Sequence, residues 1–267
     1  MGLLHRHADG TVHTHDHHHG DDHHHGTGDE GDDRPPRDVG DHSGYETHGE
    51  RVQILEQILG ENDRIADLNR LDFTRAGVRS VNLMSSPGAG KTALLRRVIP
   101  ALAQRGTRVG VLEGDIATSI DADRLSDIGA AAIALVNTNA GFGGECHLDA
   151  VMVRSGLGRL PLDDLDLLVI ENVGNLVCPA EFDVGQDRRA MVYAITEGEE
   201  KPLKYPVMFH SVEAVFVNKI DLLPHLDFDR DAFLDNLRAV NADAEVVEVS
   251  ARSGDGLDRV VDWFLKA

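Results

Sequence analysis

Positive charge is scarce in this chain. Lys and Arg number 26 against 46 Asp and Glu, which leaves a formal net charge of −20. A protein that grips nucleic acid needs a basic face for the phosphate backbone, so nucleic acid is excluded as a main partner. Cysteine is scarcer still, with only Cys146 and Cys178. Two thiols make no disulfide framework, and the expected location is the cytoplasm. No apolar run approaches the ~18 residues of a membrane-spanning helix. The N-terminus also lacks the apolar core of a signal peptide. Hydrophobic residues make up 41% of the 267. They are thin in residues 1–49, so the core is expected downstream.

Residues 1–49 form a segment of their own, with twelve of the fifteen histidines: His5, His7, His13, His15, His17, His18, His19, His23, His24, His25, His42 and His48. Asp and Gly fill most gaps. So few apolar residues cannot offset the entropy of ordering, and disorder is expected. One origin for such a stretch is a purification tag. The other is metal binding, since imidazoles suit Ni²⁺, Cu²⁺ and Zn²⁺ and a flexible chain can bring several to one ion. The spread of H-x-H and H-H-H among acids favours the second, with His13 to His25 the densest set of ligands. Affinity by itself ranks Cu²⁺ above Ni²⁺, so the segment does not name its metal.

From residue 50 to about 78 the pattern is helical. Val52, Leu55, Ile58 and Leu59, then Ile65, Ala66 and Leu68, recur on one face. A break is expected at Gly60, with a restart at Asn62 or Asp63. Residues 79–267 then alternate. Strands are expected at Val81–Met84, Arg108–Leu112, Ala131–Val136, Leu167–Ile170, Glu213–Val217 and Glu245–Val249. Helices are expected at Lys91–Gln104, Asp121–Ile128, from Leu148, and at Arg188–Ile195, Arg230–Val240 and Leu257–Leu265. The order predicts an α/β fold with a mostly parallel sheet and helices on both faces. Ligands on such sheets gather at the carboxyl ends of the strands.

The first strand runs into Ser85-Ser86-Pro87-Gly88-Ala89-Gly90-Lys91-Thr92, and a helix follows. Strand, Gly-rich turn and Gly-Lys-Thr opening a helix is the setting of a phosphate-binding P-loop. Gly88 and Gly90 let backbone N–H groups converge on an anion, and the helix N-terminus adds to the field. Lys91 is placed to reach the terminal phosphates and Thr92 to put its hydroxyl on Mg²⁺. Ser86, Ala89 and Ala93 complete the cradle. Ser85 stands where G-x-x-x-x-G-K-[ST] has glycine.

Asn218-Lys219-Ile220-Asp221 follows another apolar strand and matches the guanine-reading N-K-x-D of GTPases. The Asp221 carboxylate accepts from two guanine donors that adenine does not offer there. The Lys219 stem can lie along the base, and Asn218 is expected to tie this loop to the P-loop. Ser250-Ala251, after the next strand, can offer backbone N–H groups to the guanine oxygen. Asp115 and Glu171, at two strand ends beside the P-loop, are the further Mg²⁺ candidates. No Gln or Arg stands out to position water, so slow intrinsic hydrolysis is expected. Cys146, His147 and Cys178 can bind Zn²⁺ or Ni²⁺. Their spacing is also compatible with two buried structural thiols.

Together, Ser85–Thr92, Glu113-Gly114-Asp115, Glu145-Cys146-His147-Leu148-Asp149, Glu171-Asn172-Val173-Gly174-Asn175-Leu176-Val177-Cys178-Pro179, Thr196-Glu197-Gly198, Asn218–Asp221 and the Asn62-Asp63 and Asn69-Arg70 helix resemble the HypB family, GTPases of [NiFe]-hydrogenase maturation. The likeness runs from about residue 50 to the end, and its P-loop is similar at Ser85. It implies a P-loop NTPase of the dimerising metallochaperone class, with a GTP-binding domain at 79–267. It also implies metal ligands at Cys146, His147 and Cys178 near the dimer interface. GTP or GDP, Mg²⁺, Ni²⁺ and Zn²⁺ are the implied ligands. The implied partners are a second copy, the nickel chaperone HypA and the hydrogenase large-subunit precursor. The cysteine-rich N-terminal nickel motif of some members is absent, since no cysteine precedes Cys146. Two other readings are a urease-type nickel GTPase, which the E-N-V-G-N-L-V-C-P stretch argues against, and a nickel store with a vestigial nucleotide domain.

Overall fold

The computed structural model describes residues 4–6, 12–14, 48–115, 129–138 and 146–267, with backbone alone for 4–6, 12–14, most of 48–58 and 115. The chain divides into two units, Met1–Glu46 and Thr47–Ala267. In the first, β1 (Leu4–Arg6) pairs antiparallel with β2 (Val12–Thr14). His15 to His25 lie outside the described residues.

The second unit begins with α1 (His48–Ala76), one unbroken helix of 29 residues. The expected break at Gly60 does not occur. Gly60 is exposed, and its helical cost of about 1 kcal/mol is overridden by packing of the turns that follow. Ala66 and Phe73 are buried on the inner face. The helix stops at Gly77, whose left-handed φ of 67° favours glycine.

Seven parallel strands make the sheet, in the order β5-β4-β6-β3-β7-β8-β9. They are β3 (Arg79–Ser85), β4 (Val109–Asp115), β5 (Ala132–Asn137), β6 (Leu167–Glu171), β7 (Arg188–Ala194), β8 (Ala214–Asn218) and β9 (Glu245–Glu248). The helices are α2 (Lys91–Gln104), α3 (Ala150–Leu157), α4 (Cys178–Glu181), α5 (Lys201–Lys204), α6 (Pro206–His210), α7 (Arg230–Val240) and α8 (Leu257–Lys266). The helix expected at Asp121–Ile128 lies outside the described residues.

β7 corrects one expectation. Arg188–Ile195 was expected as a helix, but Arg188–Ala194 is a strand hydrogen-bonded between β3 and β8. The run Ala190-Met191-Val192-Tyr193-Ala194 is wholly buried. A segment covered on both faces has no polar side, so periodicity cannot separate strand from helix there.

Alternation sorts the strands onto two layers. Val81, Leu83, Val109, Val111, Val169, Val192 and Phe216 pack with α2 and α8, where Trp263 meets Phe216 and Phe264 edge-on. On the other face, Leu112, Leu168 and Ile170 meet α1 and α3, and Met191, Tyr193 and Val215 meet α6 and α7. Among the described residues, no helix is long and apolar enough to cross a membrane.

Candidate functional site

The turn after β3 closes over a cavity of about 430 Å³. Gly88 and Gly90 take left-handed φ values of 73° and 100°. Gly90 has a second reason to be glycine, because an added Cβ would lie 2.6 Å from Asn218 Nδ2. Lys91 Nζ donates to Ser85 Oγ at 2.8 Å, so the residue that departs from the usual motif serves the lysine directly.

Two strand ends away, the N-K-x-D loop is bonded to this turn. Asn218 Nδ2 donates to Ala89 O at 2.9 Å, and its Oδ1 accepts from Ala251 N at 3.0 Å. One amide therefore links three loops, including the tie expected of it. Lys219, the non-glycine residue with positive φ among the described residues (67°), donates from Nζ to Gly88 O at 2.8 Å. Its stem spans the gap between the two loops. Ser250 Oγ donates to Asp221 Oδ1 at 2.6 Å, which fixes the carboxylate at the mouth of β8 and β9.

The cavity's acidic wall comes from β4 and β6. Thr92 Oγ1 donates to Glu171 Oε1 at 2.7 Å. Glu113 is the register partner of Glu171 on the neighbouring strand, and both are buried. Two carboxylates side by side in a low-dielectric pocket favour a cation between them and the phosphates, and oxygen donors suit Mg²⁺. The site thus holds an acid that sequence reasoning passed over. Asp115 was the candidate from that motif; its backbone ends β4, and its side chain lies outside the described residues. Alternation along β4 puts Glu113 on the cavity side but does not rank it above Asp115, two positions on. Val109 and Val111 face α2, so position 113 faces it too.

Cys146, His147 and Cys178 converge from segments 32 residues apart, with one ligand atom of each within 4.8 Å of the others. The sulfurs lie 3.0 Å apart, and Cys146 Sγ is 3.9 Å from His147 Nδ1. His147 is buried against the Phe182 ring, at 4.2 Å between centroids. The adjacent Cys146 sulfur and then burial push the Cys178 thiol up to about 11. Two sulfurs and an imidazole are a donor set for Zn²⁺ or Ni²⁺, and a bound cation removes both thiol protons.

A single run of chain joins the two clusters. Glu171 ends β6 in the nucleotide cavity, and Cys178 opens α4 seven residues later. Between them, Gly174 lies on the P-loop so closely that a Cβ would sit 3.0 Å from Pro87 Cα. Asn172 Oδ1 accepts from Leu148 N at 2.9 Å, and Asn175 Nδ2 donates to Cys146 O at 3.3 Å.

Residues 80–248 match the family model of the CobW/HypB/UreG nucleotide-binding domain. Hydrogenase maturation factor HypB of Azotobacter vinelandii is 50% identical over 215 residues, covering 80% of this chain and 68% of that one. HypB of Escherichia coli K12 is 42% identical over 227 residues, covering 85% and 76%. A crystal structure of HypB from Helicobacter pylori in complex with nickel superposes with a TM-score of 0.71 at 31% identity, covering 77% of this chain and 94% of that one.

Proposed function

The chain belongs to the CobW/HypB/UreG family and within it to the HypB hydrogenase maturation factors, and on that premise we propose that it is a GTP-hydrolysing metallochaperone that binds nickel and assists its insertion into the large-subunit precursor of [NiFe]-hydrogenase. The observation that carries the reading is the continuous run from Glu171, bonded to Thr92 in the cavity, to Cys178 beside Cys146 and His147.

In this reading Ser86, Gly88, Ala89, Gly90, Lys91, Thr92 and Ala93 cradle the phosphates, while Asn218, Lys219, Asp221, Ser250 and Ala251 select guanine. Thr92 and Glu171, with Glu113 beside Glu171 and Asp115 as the candidate from the sequence, would hold Mg²⁺, which when bound neutralises charge on the terminal phosphates. Cys146, His147 and Cys178 receive the nickel cargo, and the same donors accept Zn²⁺. The histidines of residues 1–49 store further nickel. A second copy, HypA and the hydrogenase precursor are the partners.

Loss of the γ-phosphate changes what Lys91, Thr92 and Glu171 hold, and the run to Cys178 carries that change to the thiolate pair. Nickel affinity then differs between GTP and GDP states. By linkage, nickel alters nucleotide affinity by the same factor. Nickel titration of protein lacking residues 1–49, with GDP and with a non-hydrolysable GTP analogue, tests this. Equal affinities would refute the switch. The same truncation is expected to remove most bound nickel equivalents while leaving GTP hydrolysis nearly unchanged.

A further inference from the structure

Two asparagines on α1 stand out, because each is buried and each touches both segments that carry the cysteine–histidine cluster. Asn62 and Asn69 are seven positions apart, two helical turns, and so share a face. Asn62 Nδ2 donates to Asp183 O at 2.8 Å, while its Oδ1 accepts from Ala150 N at 2.9 Å. Asn69 Nδ2 donates to Ala150 O at 2.9 Å and to Val184 O at 3.1 Å. Its Oδ1 accepts from Arg154 Nη1 at 3.2 Å.

Ala150 lies three residues beyond His147, and Asp183 lies five beyond Cys178. Each amide therefore spans the two ligand-bearing segments. The second segment is also pressed onto the helix backbone. Gly185 has a φ of +91°, and a Cβ there would lie 2.4 Å from Ala66 O. Arg70 adds an ion pair to Asp183 at 2.7 Å.

An amide is the side chain this geometry requires. It offers donor and acceptor at once, which a carboxylate or an alkyl group does not. Packing α1 on α3 needs only apolar residues, and a buried amide is tolerated only when its bonds are made. Here those bonds cross from one segment to the other. We propose that Asn62 and Asn69 are positioning residues for the metal cluster. They hold residues 146–150 and 178–184 at one spacing, so that the two sulfurs and the His147 ring meet an ion without rearrangement. The inference rests on the reading of Cys146, His147 and Cys178 as ligands. Groups that orient metal ligands typically contribute 10- to 100-fold in affinity.

The test uses the full chain and nickel alone as the probe. Cys146 and Cys178 are its only cysteines, so the thiolate-to-nickel absorption band reports this cluster and not the histidine-rich segment. Competition with a chelator gives the affinity. Asn62→Ala and Asn69→Ala are each expected to weaken nickel binding by about 10- to 100-fold, with GDP affinity held within a few-fold. Asn62→Asp keeps the acceptor for Ala150 N but removes the donor to Asp183 O, and is expected to weaken binding too. Should an alanine variant fail to fold, this variant carries the test. Arg64→Ala, on the exposed side of α1, is expected to change nothing. Lower melting temperatures with unchanged nickel affinity would mean a purely structural role and would overturn the proposal. So would an equal loss in Arg64→Ala. A wild-type chain with no thiolate band would overturn the ligand reading, and this inference with it.

Discussion

Gly90→Ala tests the account of the nucleotide loop most directly. Two costs follow from the structure. The first is local. Gly90 sits at a φ of 100°, and a left-handed conformation costs an L-residue roughly 1–2 kcal/mol. The second is tertiary. The new methyl would lie 2.6 Å from Asn218 Nδ2. Asn218 cannot simply swing away, because it is buried and bonded to Ala89 O and Ala251 N. Displacing it forfeits two hydrogen bonds at about 1 kcal/mol each. The substitution should therefore cost about 3–4 kcal/mol in all.

Gly88→Ala separates the two costs. Gly88 also has positive φ, at 73°, but nothing lies within 4 Å of its would-be Cβ. It should lose only the backbone contribution, about 1–2 kcal/mol. A double-mutant cycle with Asn218→Ala isolates the rest. In that background the clash is gone, and Gly90→Ala should cost no more than Gly88→Ala. Urea unfolding of the wild type, the three single variants and the double variant gives the stabilities, and GDP titration should follow the same order. If Gly90→Ala costs as much with Asn218 removed as with it present, the contact is not the cause and the reasoning fails.

Two further predictions concern the acids and the thiols. Glu113→Gln removes one of the paired carboxylates in the cavity and should raise the Mg²⁺ concentration needed for hydrolysis by about tenfold or more; a Mg²⁺ titration that matches wild type would remove Glu113 from the site. In metal-free protein the proton on Cys178 is held up to about pH 11, against 9.0 for an ordinary thiol. A raised folded-state pKa contributes stability that is complete below about pH 9 and is lost as pH rises through about 11. Alkylation of Cys178 should follow that raised profile and shift back towards 9.0 in Cys146→Ser, because the neighbouring sulfur is the leading cause.

Much of the site was legible in the sequence because its parts are local. Gly88, Gly90, Lys91 and Thr92 read as a phosphate loop from eight consecutive residues, since the turn and the helix N-terminus are made by the same stretch that binds. Asn218 and Asp221 were as plain, and Asn218 makes the bond to the P-loop expected of it. The alternation of strands and helices announced a parallel sheet, because hydrophobic period and turn residues are written along the chain. Cys146, His147 and Cys178 were named from the sequence through likeness to a family, not through spacing.

What lay beyond the sequence depends on strand order. β7 was misread because a run covered on both faces shows no period to tell strand from helix. Glu113 stood one position before a glycine and two before Asp115, and nothing local ranked it above Asp115. The pairing of β4 with β6 set it beside Glu171. Asn62 was expected only as a helix restart and Asn69 entered only through likeness to a family; packing brought Ala150, Asp183 and Val184 to them. Local patterns report which surface a residue buries. Only the crossing of distant segments decides which carboxylates, thiols and amides bury it together, because those contacts follow from sheet topology and not from the period of any one element.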